Sequence, residues 1–466
     1  MIVFSRDLAR RFRAVARTCV REWRKRPPPA VGAAARGGTL TLSADLGDAV
    51  VSVTAPAVGP DAAVAFPLSV LEAAGGGTDA PVEVTVAGGG GTASWADRAG
   101  GRSYPFTPLP VPPLPRDPRL AVVPAAFLAA LHECGRSAGA GTARFALHAV
   151  RVRGSAGTVT GTDAKQALVW GGFAFPFAAD VLIPAVPAFG TRELAGAGGV
   201  CLGLTDTHLV VAAGAWVVRL ARVPGRHPDV EGVVPRHPPT RITFGDAGAA
   251  AVLAALPRLP GGDADGRPVT LDAAGGLVVR AAGGGDVREV AAPETTVEGT
   301  PARVAVDRAY LARALALGCR TIRLAGPCKP VAAEGPGRTY VFAALASGEV
   351  VPPALDAETL TPDQAVATPA VARAELEPSP EPRRRSAMRP RPTNTPAPVG
   401  VATARPPAEP IDPVAEAEGL RAALAEALTR GGRLVAALKH ARRERKALSA
   451  VWSSLRGLNL GNGGRS

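Results

Sequence analysis

Several patterns in the chain could support catalysis, and the residues around each argue against it. Gly135 to Gly139 reads GRSAG and matches the G-x-S-x-G nucleophile elbow, which requires a strand entering the serine and a helix leaving it. Here a helical pattern precedes Ser137 and a Gly-rich turn follows. Gly88, Gly90 and Ala93 satisfy a loose dinucleotide fingerprint after a strand. Only SWAD follows before the next Gly turn, too short for a phosphate-binding helix, so a hairpin is expected. His132, His148, His208, His227, His237 and His440 lack metal-ligand spacing, and Cys19, Cys134, Cys201, Cys319 and Cys328 form no CxxC pair. No carboxylates pair in a catalytic frame. The expectation is a non-catalytic protein with no catalytic residues, metal or cofactor.

Arginine offers a different chemistry, anion binding. On a helical wheel Leu8, Phe12, Val15 and Cys19 fall together, and Arg6, Arg10, Arg13, Arg17, Arg21 and Arg24 line the opposite face. Residues 1–26 hold nine Lys+Arg against two acids, so +7 of the chain's +13 lies there. Another +5 lies from Val351 onward, leaving the body of the 466 residues nearly neutral. Solvated helix faces normally mix signs in i,i+4 pairs. A stripe of like charge calls for an external anion, and a duplex phosphate backbone supplies one.

The elements that must carry these residues repeat. An apolar strand followed by a capped amphipathic helix begins at Ser5, Val123 and Phe244, at spacings of 118 and 121 residues. A second such marker begins at Phe66, Ile183 and Val306, at spacings of 117 and 123. Between them lie β-branched or alternating runs broken by Gly and Asp, among them Thr39 to Leu42, Val50 to Thr54, Val82 to Val86, Leu209 to Ala213, Trp216 to Ala221 and Thr339 to Phe342. A period near 120 residues is too long for a solenoid and too regular for unrelated domains. Low aromatic content (4%) with 54 Gly and 46 Pro favours short strands and turns over long helical cores.

The expected fold class is therefore α+β, three copies of one domain at residues 1–115, 116–236 and 237–350. A disordered Pro-rich linker (351–411) and a basic amphipathic helix (412–457) follow. Asp412 and Pro413 open that helix as N-cap and first residue, and Leu420, Leu424, Leu434, Leu438, Leu448, Trp452 and Leu455 lie on its 4-3 seam. No window approaches 18 uninterrupted apolar residues, the Arg-rich amino terminus fits the first strand and helix better than a leader, and the unpaired cysteines suit a reducing compartment. A cytoplasmic, nucleoid-associated location is expected.

Several local motifs within this frame resemble the bacterial DNA polymerase III β subunit, the sliding clamp, over residues 1 to about 347. Arg26-Pro27 lies where clamps carry an Arg-Pro after the first helix, and GTLTLSADL from Gly38 is similar to their G-x-L-x-L-x-x-x-D-L strand, one residue shorter. Thr162 to Ala167 stands where clamps have TDGHRL. Gly225-Arg226-His227-Pro228-Asp229 and Val233-Val234-Pro235 resemble the G-R-F-P-D-Y and V-I-P connector, and Tyr340 to Leu345 takes the place of Y-V-L-M-P-M.

The resemblance implies three DNA-clamp domains, each of two helices with antiparallel strand meanders. It implies a head-to-tail homodimer ring around double-stranded DNA, a processivity factor for a polymerase or repair protein in DNA replication, and a clamp loader as a further partner. Arg6, Arg10, Arg13, Arg17, Arg21, Arg24 and Arg26 would face DNA. A partner-peptide cleft would be formed by Leu147, Thr162, Asp163, Lys165, Gln166, Ala167, Pro228, Gly232, Val233, Val341, Ala343, Ala344 and Leu345. There Gly-His-Arg-Leu has become Ala-Lys-Gln-Ala and Met-Pro-Met has become Ala-Ala-Leu, which removes apolar volume and flexible Met surface. The second-unit helix presents Ala126, Ala129 and Ala130 without cations, making the channel charge lopsided. The alternative reading is a clamp-fold scaffold that acts through its C-terminal helix on an unknown partner, without encircling DNA.

Overall fold

Antiparallel strand meanders and short helices alternate through the computed structural model, which describes residues 1–20, 29–98, 100–139, 146–264 and 266–360. The first unit runs β1 (Ile2–Ser5), α1 (Arg6–Thr18), β2 (Ala30–Arg36), β3 (Thr39–Asp45), β4 (Ala49–Pro56), β5 (Ala62–Pro67), α2 (Ser69–Ala74), β6 (Pro81–Ala87), β7 (Gly90–Asp97) and β8 (Gly100–Phe106). The second repeats that order as β9 (Ala121–Val123), α3 (Ala126–Ser137), β10 (Ala149–Arg153), β11 (Thr158–Thr162), β12 (Gln166–Trp170), β13 (Asp180–Pro184), α4 (Arg192–Ala195), β14 (Val200–Leu204), β15 (His208–Ala213) and β16 (Trp216–Ala221). The third repeats it again with one added strand: β17 (Thr240–Thr243), α5 (Asp246–Ala255), β18 (Pro268–Ala273), β19 (Val278–Gly283), β20 (Asp286–Ala291), β21 (Thr296–Gly299), β22 (Ala302–Asp307), α6 (Arg308–Ala316), β23 (Thr321–Leu324), β24 (Val331–Gly335) and β25 (Arg338–Phe342). A last strand, β26 (Glu358–Thr359), follows.

Local chemistry sets these boundaries. Ser5 caps α1, its hydroxyl accepting from the Leu8 amide at 3.1 Å, and Asp307 caps α6 by accepting from Ala309 at 2.8 Å. Gly88 and Gly89, at φ +59° and +83°, form the two-residue turn between β6 and β7, the conformation a tight hairpin requires. The GGGG run is thus a turn. Ser137 ends α3 fully buried, its hydroxyl 3.4 Å from the Glu133 carbonyl, so GRSAG is a helix terminus.

Each unit contributes two half-sheets, and the halves join between units. The first sheet, β1-β6-β7-β8, belongs to unit one alone. The second, β5-β2-β3-β4-β16-β15-β14-β9, fuses units one and two through the antiparallel β4/β16 joint, with Trp216 opposite Val53 and Leu220 opposite Ala49. The third fuses units two and three through β12/β25, with Gln166 opposite Phe342 and Trp170 opposite Arg338. The fourth, β22-β18-β19-β20-β26, belongs to unit three. Helices bury their apolar faces on these sheets. In α1 the buried residues are Leu8, Ala9, Phe12, Val15 and Ala16, and Phe12 stacks on Trp216 across the first joint, 6.2 Å between ring centroids.

Two expectations change. The second-unit helix expected after Ile183 is reduced to a 3-10 turn, Pro187–Gly190, followed by the single turn of α4, because Pro187 and Gly190 interrupt the helical pattern. The expected linker does not start at Val351, since the chain through Leu360 packs on unit three and forms β26. The rest of the expected linker, the helix over 412–457, and Arg21, Arg24 and Arg26 lie outside the described residues. Among the described residues no helix is long and apolar enough to cross a membrane.

Candidate nucleic-acid face and partner cleft

The arginine face of α1 carries internal counter-ions that its own sequence only half reveals. Arg10 is exposed and pairs with Asp7 at 2.5 Å, three residues away, while Arg11 lies 3.9 Å from the same carboxylate. Arg17 is exposed and pairs at 2.5 Å with Glu72 of α2, far away in sequence. The expectation of an uncompensated stripe is corrected by these two acids. Arg6 is a structural tie: its Nε donates to the Ala74 carbonyl at 2.9 Å and its guanidinium packs over Gly76. Arg13 is half-buried on the same helix, with no ion pair among the described residues. Arg11 lies to the side of this stripe, between Asp7 and the apolar face.

The equivalent helices carry fewer outward cations: α3 has only Arg136, exposed in its last turn and paired with Glu133 at 3.2 Å, and α5 has none. Ala126 and Ala129 are exposed on α3, whereas Ala130 is fully buried and so is no part of the outward face. On α5 the exposed residues are Asp246, Ala247 and Ala250. Arg308 and Arg313 of α6 serve the interior, Arg308 donating to the Leu259 carbonyl at 2.6 Å and Arg313 to the Glu133 carbonyl at 2.7 Å. The cationic surface carried by helices is concentrated on α1 in unit one.

A cavity of about 310 Å³ opens beside the second joint, at the lower end of the range for ligand sites. Its wall takes Leu147, Thr162, Lys165, Gln166, Ala167, Pro228, Val233, Val341 and Ala343 from the expected set, and adds Ala164, Asp229, Val230, Pro330 and Phe342. Ala167 and Val341 are direct cross-strand neighbours of β12 and β25, and the Ala343 amide continues the ladder to the Lys165 carbonyl at 2.9 Å. The strand period of two therefore places Lys165, Ala167, Val341 and Ala343 on one face.

Asp163, Gly232, Ala344 and Leu345 do not line it. The Asp163 carboxylate is spent on its own turn, accepting from the Lys165 and Gln166 amides at 2.8 Å each. Gly232 sits under Asp229, whose carboxylate accepts from its amide at 3.2 Å. Ala344 bridges to Val306, and the Leu345 amide donates to Ala305 at 2.8 Å, so both residues have crossed to the sheet of unit three. Ala164 holds φ +75° where the resembling motif has Gly, a conformation that strains a residue bearing a Cβ.

Gln166 reaches away from the cavity as well as walling it. Its Oε1 accepts from Tyr340 Oη at 2.5 Å and from Arg313 at 3.1 Å, and its Nε2 donates to Asp163 at 3.0 Å. The amide thus locks unit two to unit three. His227, almost fully buried, donates from Nδ1 to the Pro228 carbonyl at 3.1 Å, and burial pushes its pKa below the ordinary histidine value. Burial also raises the Cys19 thiol to about 12 and the Cys319 thiol to about 11, and raises Cys134 further. None of the three offers a thiolate at neutral pH. Among the described residues no group of His, Cys, Asp and Glu is arranged to hold a metal ion.

Of the added cavity residues, Ala164, Asp229 and Phe342 lie within the clamp-like sequence motifs, whereas Val230 and Pro330 lie in irregular segments that no local sequence pattern marks.

No protein-family model and no curated protein sequence matches the chain. Solved structures do. The chain is similar to the Pseudomonas aeruginosa sliding clamp (DNA polymerase III subunit beta) bound to griselimycin, with a TM-score of 0.61 at 15% identity over 74% of this chain and 99% of that one. It is similar to the DNA polymerase III beta chain of Streptococcus pneumoniae TIGR4, with a TM-score of 0.61 at 14% identity over 74% and 100%. The DNA polymerase sliding clamp of Caulobacter crescentus gives 0.59 at 18% over 74% and 99%. At such identities the likeness is one of architecture: the chain carries, in divergent form, the three-domain fold of the bacterial DNA polymerase III beta sliding clamps.

Proposed function

We propose that the chain is a sliding-clamp-like processivity factor. Two copies joined head to tail would encircle duplex DNA and tether a polymerase or repair protein through the cavity at the second joint, in the cytoplasm on the nucleoid. The protein performs no chemistry in this reading, and a clamp loader would open the ring. The observation that carries it is the repetition of one joint. Strands β4 and β12 pair with β16 and β25, and the equivalent strands left at the two ends of the series are β20 and β8. A second copy offering its β8 to β20 would make the same joint, and a heterologous contact that closes on itself gives a ring.

Binding should then be to phosphate, independent of sequence and sensitive to salt. Circular plasmid should retain the protein through a salt wash that strips it from the same plasmid linearised, and equal loss from both overturns encirclement. Substituting Arg10, Arg13 and Arg17 with Glu should reduce retention by at least about tenfold and flatten the salt dependence by roughly two to three ions. An unchanged salt slope would mean that Asp7 and Glu72 already satisfy this face. The second reading, a scaffold that does not encircle DNA, draws support from the Ala-rich exposed faces of α3 and α5; it expects no difference between the two plasmid forms.

A further inference from the structure

The edge of β20 that a second copy would need is occupied by this chain's own residues. After β25 the backbone crosses the sheet of unit three one strand after another. The Leu345 amide bonds Ala305 of β22 at 2.8 Å, the Val351 amide bonds the Thr270 hydroxyl of β18 at 2.8 Å, and the Leu360 amide reaches the Glu289 carbonyl of β20 at 2.8 Å. At the far edge Glu358 and Thr359 pair with Arg288 and Glu289, and the Glu358 carboxylate meets the Arg288 guanidinium at 2.8 Å. Leu360 is buried to 3% exposure in the core. This pairing is parallel, whereas both joints inside the chain are antiparallel. It is therefore not an imitation of the joint but a different occupant of the same edge.

We propose that residues 351–360 form a strap over the ring-closing edge, so that the strap and the β8 strand of a second copy compete for β20. The proposal rests on the head-to-tail reading above. The occupant is short: β26 spans only Glu358–Thr359, while the joints run from Ala49 to Val53 and from Gln166 to Trp170. A full-length strand can displace it. Until that happens the strap covers the edge of β20, a hazard that proteins manage by covering or charging it. The strap makes assembly a choice between two conformations of unit three, biased toward the closed monomer at low concentration.

The test uses the full chain. Leu360→Pro removes both the amide donor and the buried side chain, and a paired Arg288→Cys and Glu358→Cys substitution, in a Cys328→Ser background that removes the exposed native thiol, locks the strap on β20 when oxidised, since these residues are direct register partners. Light scattering over a concentration series should show the Leu360→Pro chain forming the two-copy assembly at a concentration roughly tenfold lower than the unaltered chain. The oxidised lock should stay monomeric where its reduced form assembles. Assembly of every form, with the lock without effect, overturns the strap and leaves the ring standing. Monomer in every form, including Leu360→Pro, overturns the head-to-tail ring and the strap's role together.

Discussion

Six strand edges take part in the repeated joint: β4 and β12 pair with β16 and β25 inside the chain, while their counterparts β20 and β8 are left at its ends, and the inner and outer edges are built differently. At the joints inside the chain β16 reads WVVRLA and β25 reads RTYVF, largely buried, and each joint is fastened by polar contacts between units. Arg219 of β16 bonds the Ser52 hydroxyl of β4 at 2.9 Å and Asp117 of the connector at 2.7 Å, and Arg313 joins Glu133 and Gln166 at the second joint. At the ends of the series β8 reads GGRSYPF and β20 reads DVREVA. Gly, Pro and charge mark edges that must not pair indiscriminately. The joint is thus a seam within the chain where the edges are apolar, and in the proposed ring it would be a reversible seam where they are polar.

Breaking the permanent seam should cost most. Trp216 is 2% exposed and stacks on Phe12 from the other unit, so Trp216→Ala should destabilise the chain by about 3–5 kcal/mol, read as a lower midpoint in chemical denaturation. A loss below about 1 kcal/mol would show that units one and two do not depend on this contact. Arg313→Ala should follow with a loss of roughly 1–3 kcal/mol, because Glu133 and Gln166 each lose a charged donor in a largely buried setting. A substitution on the free edge, such as Arg102→Ala on exposed β8, should cost within about 0.5 kcal/mol. If it costs as much as Arg313→Ala, the difference between the two kinds of edge is not energetic.

The sequence carried the repeat because its signals are local. Ser5 and Asp307 mark helix starts, Gly88-Gly89 marks a hairpin, and β-branched runs mark strands wherever they are buried. Much of the cavity was legible only through the resemblance of Thr162 to Ala167 and Tyr340 to Leu345 to clamp motifs, and the pairing of β12 with β25 then brings those two stretches together. What the sequence hid is non-local. Glu72 neutralises Arg17 across 55 residues, and nothing near α1 announces it. Ala344 and Leu345 leave the cavity because the chain must cross to β22. Strand β26, two residues long with no alternation, exists because β20 offers an edge and Leu360 a buried anchor.

The smallest expected effect separates the seams by pH. His227 stands in the connector beside the second joint, and β8 and β20 contain no histidine. Burial holds the folded imidazole below its ordinary pKa, while the unfolded chain takes up the proton near the usual value of about 6.5. The unfolded state then binds more protons in mildly acid solution. The stability linked to His227 is present above that pH and is lost as the pH falls toward the folded value. His132, half-buried on α3 and also lowered by burial, adds to the same slope. His227→Phe, which fills the site with the residue the resembling motif carries there, should flatten the fall in melting temperature between neutral and mildly acid pH by less than the shift Arg313→Ala produces. In the proposed ring, where two-copy assembly would be governed by β8 and β20, the concentration midpoint of assembly should not follow that slope. A midpoint that tracks His227 would place the reversible seam at the second joint instead of at the ends of the chain.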